Sequence, residues 1–111
     1  MICWERVKEL REEIGAEDFP EVVELFFEEV EEVIGRLRQH PDPKTYEADL
    51  HFLEGCALNL GFEAFCSLCT QGEKQARKGK ADAIDLSAII SIYDQSRREF
   101  GEGRMNSSNA A

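Results

Sequence analysis

Apolar residues recur along this chain at three- and four-residue steps, and no segment alternates in the two-residue rhythm of a strand. The stretch WERVKELREEI predicts a short helix from about Trp4 to Ile14. After GAEDFPE, an apolar stripe runs through Phe19, Val22, Val23, Phe26, Val30, Val33, Ile34 and Leu37, with Glu21, Glu24, Glu28, Glu31 and Glu32 between them. That is an amphipathic helix with an acidic outer face. Asp18 is placed to cap it, and Glu21 three residues on completes a capping box. QHPDPK ends this helix. Asp42 is placed to cap the next, with Pro43 at its first position, where a missing N–H does no harm.

The third helix then runs to about Leu60, with Gly61 as its stop. A fourth covers about Phe62 to Lys78, with Phe65, Cys69 and Gly72 on one seam. Asp85 caps a last helix carrying Leu86, Ile89, Ile90, Tyr93 and Phe100. Four sizeable helices with short connections predict an all-α fold: an antiparallel four-helix bundle with a short additional N-terminal helix over one end. The domain is expected over residues 1–101, and the small, polar residues 102–111 read as a flexible tail.

Length and charge narrow the partners. The chain has 111 residues, which fits one domain, and 42% of them are hydrophobic, enough for a modest core. The net charge is −10, and much of the acid lies in the first third. Such a surface repels a phosphate backbone and anionic lipid, so neither nucleic acid nor a membrane is expected as a partner. No apolar run reaches the roughly 20 residues of a membrane span. MICWERVKEL lacks a basic start followed by an apolar core, so a soluble cytoplasmic protein is expected. An isologous dimer through the acidic helix would be electrostatically poor, which favours a monomer. The complete helix set and Met1 favour a small standalone protein.

The cysteines are Cys3, Cys56, Cys66 and Cys69. Cys66 and Cys69 form a C-x-x-C, a possible redox or zinc half-site. It sits in the apolar pattern FEAFCSLC with no second C-x-x-C. Packing as small hydrophobes is the expected role, with no metal bound.

The stretch LHFLEGCALNLG, residues 50–61, places His51 and Gly55 one turn apart. Tyr46, Leu50, Leu53, Ala57 and Leu60 form the seam that must face the core. At about 100° per residue, His51 lies roughly 140° from the middle of that seam, pointing outward. Ala48 and Gly55 flank it with small residues, and Lys44 lies two turns back, nearly in line with it. A glycine on an exposed helical face makes sense where a bulky partner must come close. Ala48, Gly55, Leu58 and Phe62 together suit a docking patch. A neutral imidazole is nucleophilic and forms covalent intermediates. No phosphate-cradling glycine loop, nucleophile elbow or metal-ligand cluster accompanies it. One exposed nucleophile without a cofactor pocket points to a carrier of a group, not an independent catalyst.

The residues HFLEGCALNLG resemble the signature H-x-L-K-G-S-[SA]-x-x-L-G of histidine phosphotransfer (HPt) domains. His51, Leu53, Gly55, Ala57, Leu60 and Gly61 match as they stand, and Cys56 replaces the small serine. The resemblance extends over most of the chain. It implies a four-helix bundle in which His51 accepts a phosphoryl group and passes it to or from an aspartate of a response-regulator receiver domain, or takes it from a histidine kinase. It also implies that no cofactor is bound by this chain and that Mg²⁺ sits on the partner receiver. Glu54 stands where the family has a lysine, a cation beside the incoming phosphoryl group. Lys44, on the same helix face, or Lys74 and Arg77, on the following helix, are the candidates to replace it. The alternative is a non-transferring adaptor that docks and inhibits a kinase or receiver, with His51 unused.

Overall fold

A computed structural model describes residues 2–110, with side chains through residue 103. Five α-helices follow in order: α1 (Trp4–Ile14), α2 (Phe19–Gln39), α3 (Tyr46–Leu60), α4 (Glu63–Arg77) and α5 (Leu86–Ala110). Single 3₁₀ turns, Pro43–Thr45 and Ala81–Ala83, precede α3 and α5. No strand occurs among the described residues, so the fold is all-α. Among the described residues no helix is long and apolar enough to cross a membrane.

The periodic seams are the buried ones. Tyr46, Leu50, Leu53, Ala57 and Leu60 of α3 are all buried, as are Phe65, Cys69 and Gly72 of α4. On α2 the buried set is Phe19, Val23, Phe27, Val30, Ile34 and Leu37. Phe27 replaces the expected Phe26, which is only half-buried. The four-residue step from Val23 brings position 27 to the middle of the stripe, and two adjacent phenylalanines cannot both occupy it. The centre of the core is aromatic. Phe62 lies 6.0 Å from Phe27, 5.8 Å from Phe100 and 6.4 Å from Tyr93 between ring centroids, and Trp4 stacks on Phe100 at 5.6 Å.

Helix ends follow local chemistry with three departures. The Asp42 carboxylate accepts from the Lys44 N–H at 3.1 Å, but it caps the 3₁₀ turn, and α3 begins only at Tyr46. Lys44 is therefore not on the helix that carries His51. Asp85 accepts from the Ala88 N–H at 3.1 Å, the expected cap of α5. Asp18 makes no side-chain cap bond, because its backbone is already helical, and so the capping box with Glu21 is not formed. The sequence pattern ended the last helix near Phe100, yet α5 continues as helix to Ala110; Ala111 lies outside the described residues.

Two glycines let the elements meet. Gly61 closes α3 at φ +74°, a left-handed geometry that other residues adopt only with strain. Its carbonyl accepts from the Cys3 N–H at 2.7 Å, and a short antiparallel bridge joins Ile2 to Phe62. This ties the start of α1 across the α3–α4 turn. Gly72 brings α4 against α3, since a Cβ there would sit 2.7 Å from Leu50 Cδ1. That approach aligns the outer halves of α3 and α4, where the site lies. An ion pair between Arg36 and Asp49, with both hydrogen bonds at 2.8 Å, fastens α2 to α3.

Candidate functional site

The seam of α3 fixes the direction of His51. With Leu50 and Leu53 fully buried, the imidazole between them in sequence stands clear of the core, its side chain 73% exposed. One ring nitrogen is nevertheless held. His51 Nδ1 lies 3.0 Å from Oε1 of Glu73, on the facing turn of α4. The Glu73 side chain is buried. Its carboxyl is held below the ordinary glutamate range, first by a hydrogen bond with the Glu54 carboxyl and next by the imidazole and the Arg77 guanidinium; burial opposes them. An ionised carboxylate only accepts, so Nδ1 carries the proton and donates it. In the neutral ring this puts the lone pair on Nε2, and no partner for that nitrogen occurs among the described residues.

Arg77 completes the arrangement. Its Nη2 donates to the same Glu73 oxygen at 2.5 Å, and its Nε reaches Glu47 at 3.4 Å. A guanidinium is thus fixed one carboxylate away from the imidazole. Of the candidates for the missing lysine, Arg77 is joined to this cluster; Lys74 and Lys44 are exposed, and among the described residues no side-chain hydrogen bond or ion pair links either to it. Glu54 is half-buried beside the ring. His51, Glu54 and Glu73 present one nitrogen and two carboxylate oxygens within 4.8 Å of one another, a set of donors able to hold a metal ion.

Gly55 is exposed, and a Cβ on it would meet nothing within 4 Å. No internal packing accounts for the glycine, and the surface over it is open. Ala48 and Leu58 are exposed on the same side. Leu58 borders a groove of about 420 Å³ formed with Cys3, Arg6, Gly61 and Cys66. Phe62 backs this groove from beneath but offers no exposed surface for docking. It is fully buried, because the turn at Gly61 folds its ring inward onto Phe27, Tyr93 and Phe100. Phe52, beside His51, is an exposed aromatic that the periodicity did not single out.

Glu73 was also missed. Its signal was an acidic residue four positions after Cys69, on the edge of an otherwise apolar seam, where a charge needs a partner. The cysteines pack as expected. All four are free thiols, and burial raises the pKa of Cys56, Cys66 and, most strongly, Cys69.

The sequence is matched by a known family. The Hpt domain pattern covers residues 21–99. The chain belongs to the Hpt domain family. Among curated proteins this Hpt domain is similar to the phosphorelay protein LuxU of Vibrio vulnificus, in strains YJ016 and CMCP6. Each is 28% identical over 100 residues, covering 86% of this chain and 87% of the relative. No solved structure matches it. The family region of this Hpt domain takes in α3 and α4 whole, and with them every residue of the His51 cluster.

Proposed function

We propose that this protein is a phosphorelay intermediate in which His51 accepts a phosphoryl group from, and returns it to, an aspartate of a response-regulator receiver domain. The observation that carries this is the exposed imidazole whose Nδ1–H is bound to buried Glu73, leaving Nε2 free. The similarity to a phosphorelay protein supports the same reading. In the reaction, the Nε2 lone pair attacks phosphorus in line with the aspartyl oxygen. The N–P bond forms, the P–O bond breaks, and the electron pair leaves with the aspartate carboxylate. Positive charge grows on the ring as it attacks, and the Glu73 carboxylate at Nδ1 offsets it. Arg77 is positioned to supply the cation that the family places near the phosphoryl group. The receiver contributes the aspartate and Mg²⁺; this chain contributes the nucleophile and a surface around Ala48, Gly55 and Leu58.

Within this reading, α2 to α5 form an antiparallel four-helix bundle covered at one end by α1, and the protein works as a cytoplasmic monomer with a transient interface. Glu54 favours a second reading. A carboxylate beside the ring opposes an incoming phosphoryl group, as suits a non-transferring adaptor that docks and inhibits a kinase or receiver.

The test is transfer from a panel of phosphorylated receiver domains to wild type and His51→Gln. An acid-labile phosphoprotein with wild type alone is expected. Binding without any label, for every donor, would leave the adaptor reading.

A further inference from the structure

Phosphoryl transfer gives Glu54 no favourable task. It sits one turn from His51 and forms no ion pair among the described residues. It lies beside a second carboxylate, Glu73, and the His51 imidazole, with the three donor atoms within 4.8 Å of one another. Donors sharing one ion at about 2.0–2.2 Å from it stand roughly 3–4 Å apart. Rotation of the exposed imidazole and of Glu54 supplies that closure, while buried Glu73 stays as the anchor.

We propose that His51, Glu54 and Glu73 form a binding site for one divalent transition-metal ion of the Zn²⁺ type, and that the bound ion switches off the phosphoacceptor.

The donor set is specific in kind. A histidine and a carboxylate three residues apart on one helix, opposite a glutamate on the next, is a pairing that helix bundles use to hold transition metals. The imidazole selects against Mg²⁺ and Ca²⁺, which prefer all-oxygen sites. Two carboxylate oxygens and a ring nitrogen within 4.8 Å of one another are close enough to share a cation. Arg77 does not exclude the ion. It occupies one lone pair of Glu73 Oε1, and a carboxylate offers about four such positions over two oxygens.

The switch follows from the single proton of a neutral imidazole. With that proton on Nδ1, the Nε2 lone pair is available to phosphorus. An ion that takes the Nδ1 lone pair requires the proton on Nε2. One proton leaves Nδ1 for water and one joins Nε2 from water, with no change in proton count and no electron transfer. Nε2–H has no lone pair for phosphorus, so the metal-bound form is inert. The binding half of this inference stands on the geometry alone; the switching half rests on the phosphoacceptor reading.

The test begins with ZnCl₂ titrated into the full chain, followed by calorimetry and by the imidazole ¹⁵N signals of His51 and His40. Wild type should bind one ion with the His51 signals shifting. His51→Gln and Glu54→Gln, each verified as folded by circular dichroism, should bind at least about tenfold more weakly. MgCl₂ should produce no shift. Equal Zn²⁺ affinity in wild type and Glu54→Gln, or binding that leaves the His51 signals unmoved, overturns the site. Receiver-dependent labelling is then compared with and without Zn²⁺. The ratio should fall at least tenfold in wild type and stay near one in Glu54→Gln, whatever the metal-free rate of each. Equal loss in both variants overturns the switch. If metal-free wild type accepts no phosphoryl group, the phosphoacceptor reading fails while the metal site still stands or falls by titration.

Discussion

His51 Nδ1 and Glu73 Oε1 stand 3.0 Å apart, joining an exposed ring on α3 to a buried carboxylate on α4. In the phosphoacceptor reading this bond sets which nitrogen attacks. Glu73→Ala should leave both tautomers populated and let the ring rotate. Phosphoryl acceptance is expected to slow by about ten- to a hundredfold, less than at a buried triad, because water can replace the lost partner. Glu73→Gln keeps an acceptor oxygen for Nδ1–H but loses the charge, and should fall between. Initial labelling rates, read beside the imidazole ¹⁵N shifts, check both. Equal rates in wild type and Glu73→Ala would remove Glu73 from the mechanism.

Periodicity made the helices and the outward face of His51 legible, because burial of the seam through Leu50, Leu53 and Ala57 dictates both. It did not reveal Glu73, which reaches His51 only because Gly72 brings α4 close to α3. Nor did it place Phe62, since the residue after a left-handed Gly61 leaves the helical wheel and its direction is set by the turn. Lys44 was misplaced for a related reason. Pro43 begins a 3₁₀ turn, so counting back along α3 at 100° per residue overran the true start of the helix.

The Arg36–Asp49 pair predicts how the fold responds to acid. Hydrogen bonds from the Arg36 guanidinium hold the Asp49 carboxyl below the ordinary aspartate range, and Thr45 adds to this against the cost of burial. The folded value is thus below the unfolded one. The stabilisation is complete above the unfolded value of about pH 4 and is lost as pH falls through the lower folded value. Asp49→Asn should cost about 1–2 kcal/mol at pH 7, discounted because Arg36 is half in solvent. At pH 3 the gap between wild type and variant should be smaller than at pH 7. Urea unfolding at the two pH values measures this, and an unchanged gap at low pH would refute it.

Gly61 carries two constraints at once. Its φ of +74° disfavours any side chain, and an added Cβ would sit 2.6 Å from the Cys3 carbonyl oxygen. That neighbour is backbone, itself fixed by the bond from Cys3 N–H to the Gly61 carbonyl. Gly61→Ala is therefore expected to destabilise the protein by about 1–3 kcal/mol and to loosen α1 first. Trp4, stacked on Phe100, reports that loosening in its fluorescence. A variant as stable as wild type would show that the turn tolerates a side chain.

Leu58 and Phe62 lie four residues apart and separate docking from folding. Phe62 is fully buried among Phe27, Tyr93 and Phe100, so Phe62→Ala opens a cavity and should cost about 3–5 kcal/mol. Leu58 is 58% exposed, and Leu58→Ala should change stability by no more than about 0.5 kcal/mol. If the face around His51 and Gly55 meets a receiver domain, the order reverses in transfer. Leu58→Ala should raise the receiver concentration needed for half-maximal labelling without changing the rate at saturation, because it touches the partner and not the reacting atoms. Phe62→Ala, examined at a temperature where it remains folded, should label with wild-type affinity. A Leu58→Ala variant that matches wild type in both quantities would move the docking surface to another face, with Phe52 as the next exposed apolar residue beside His51.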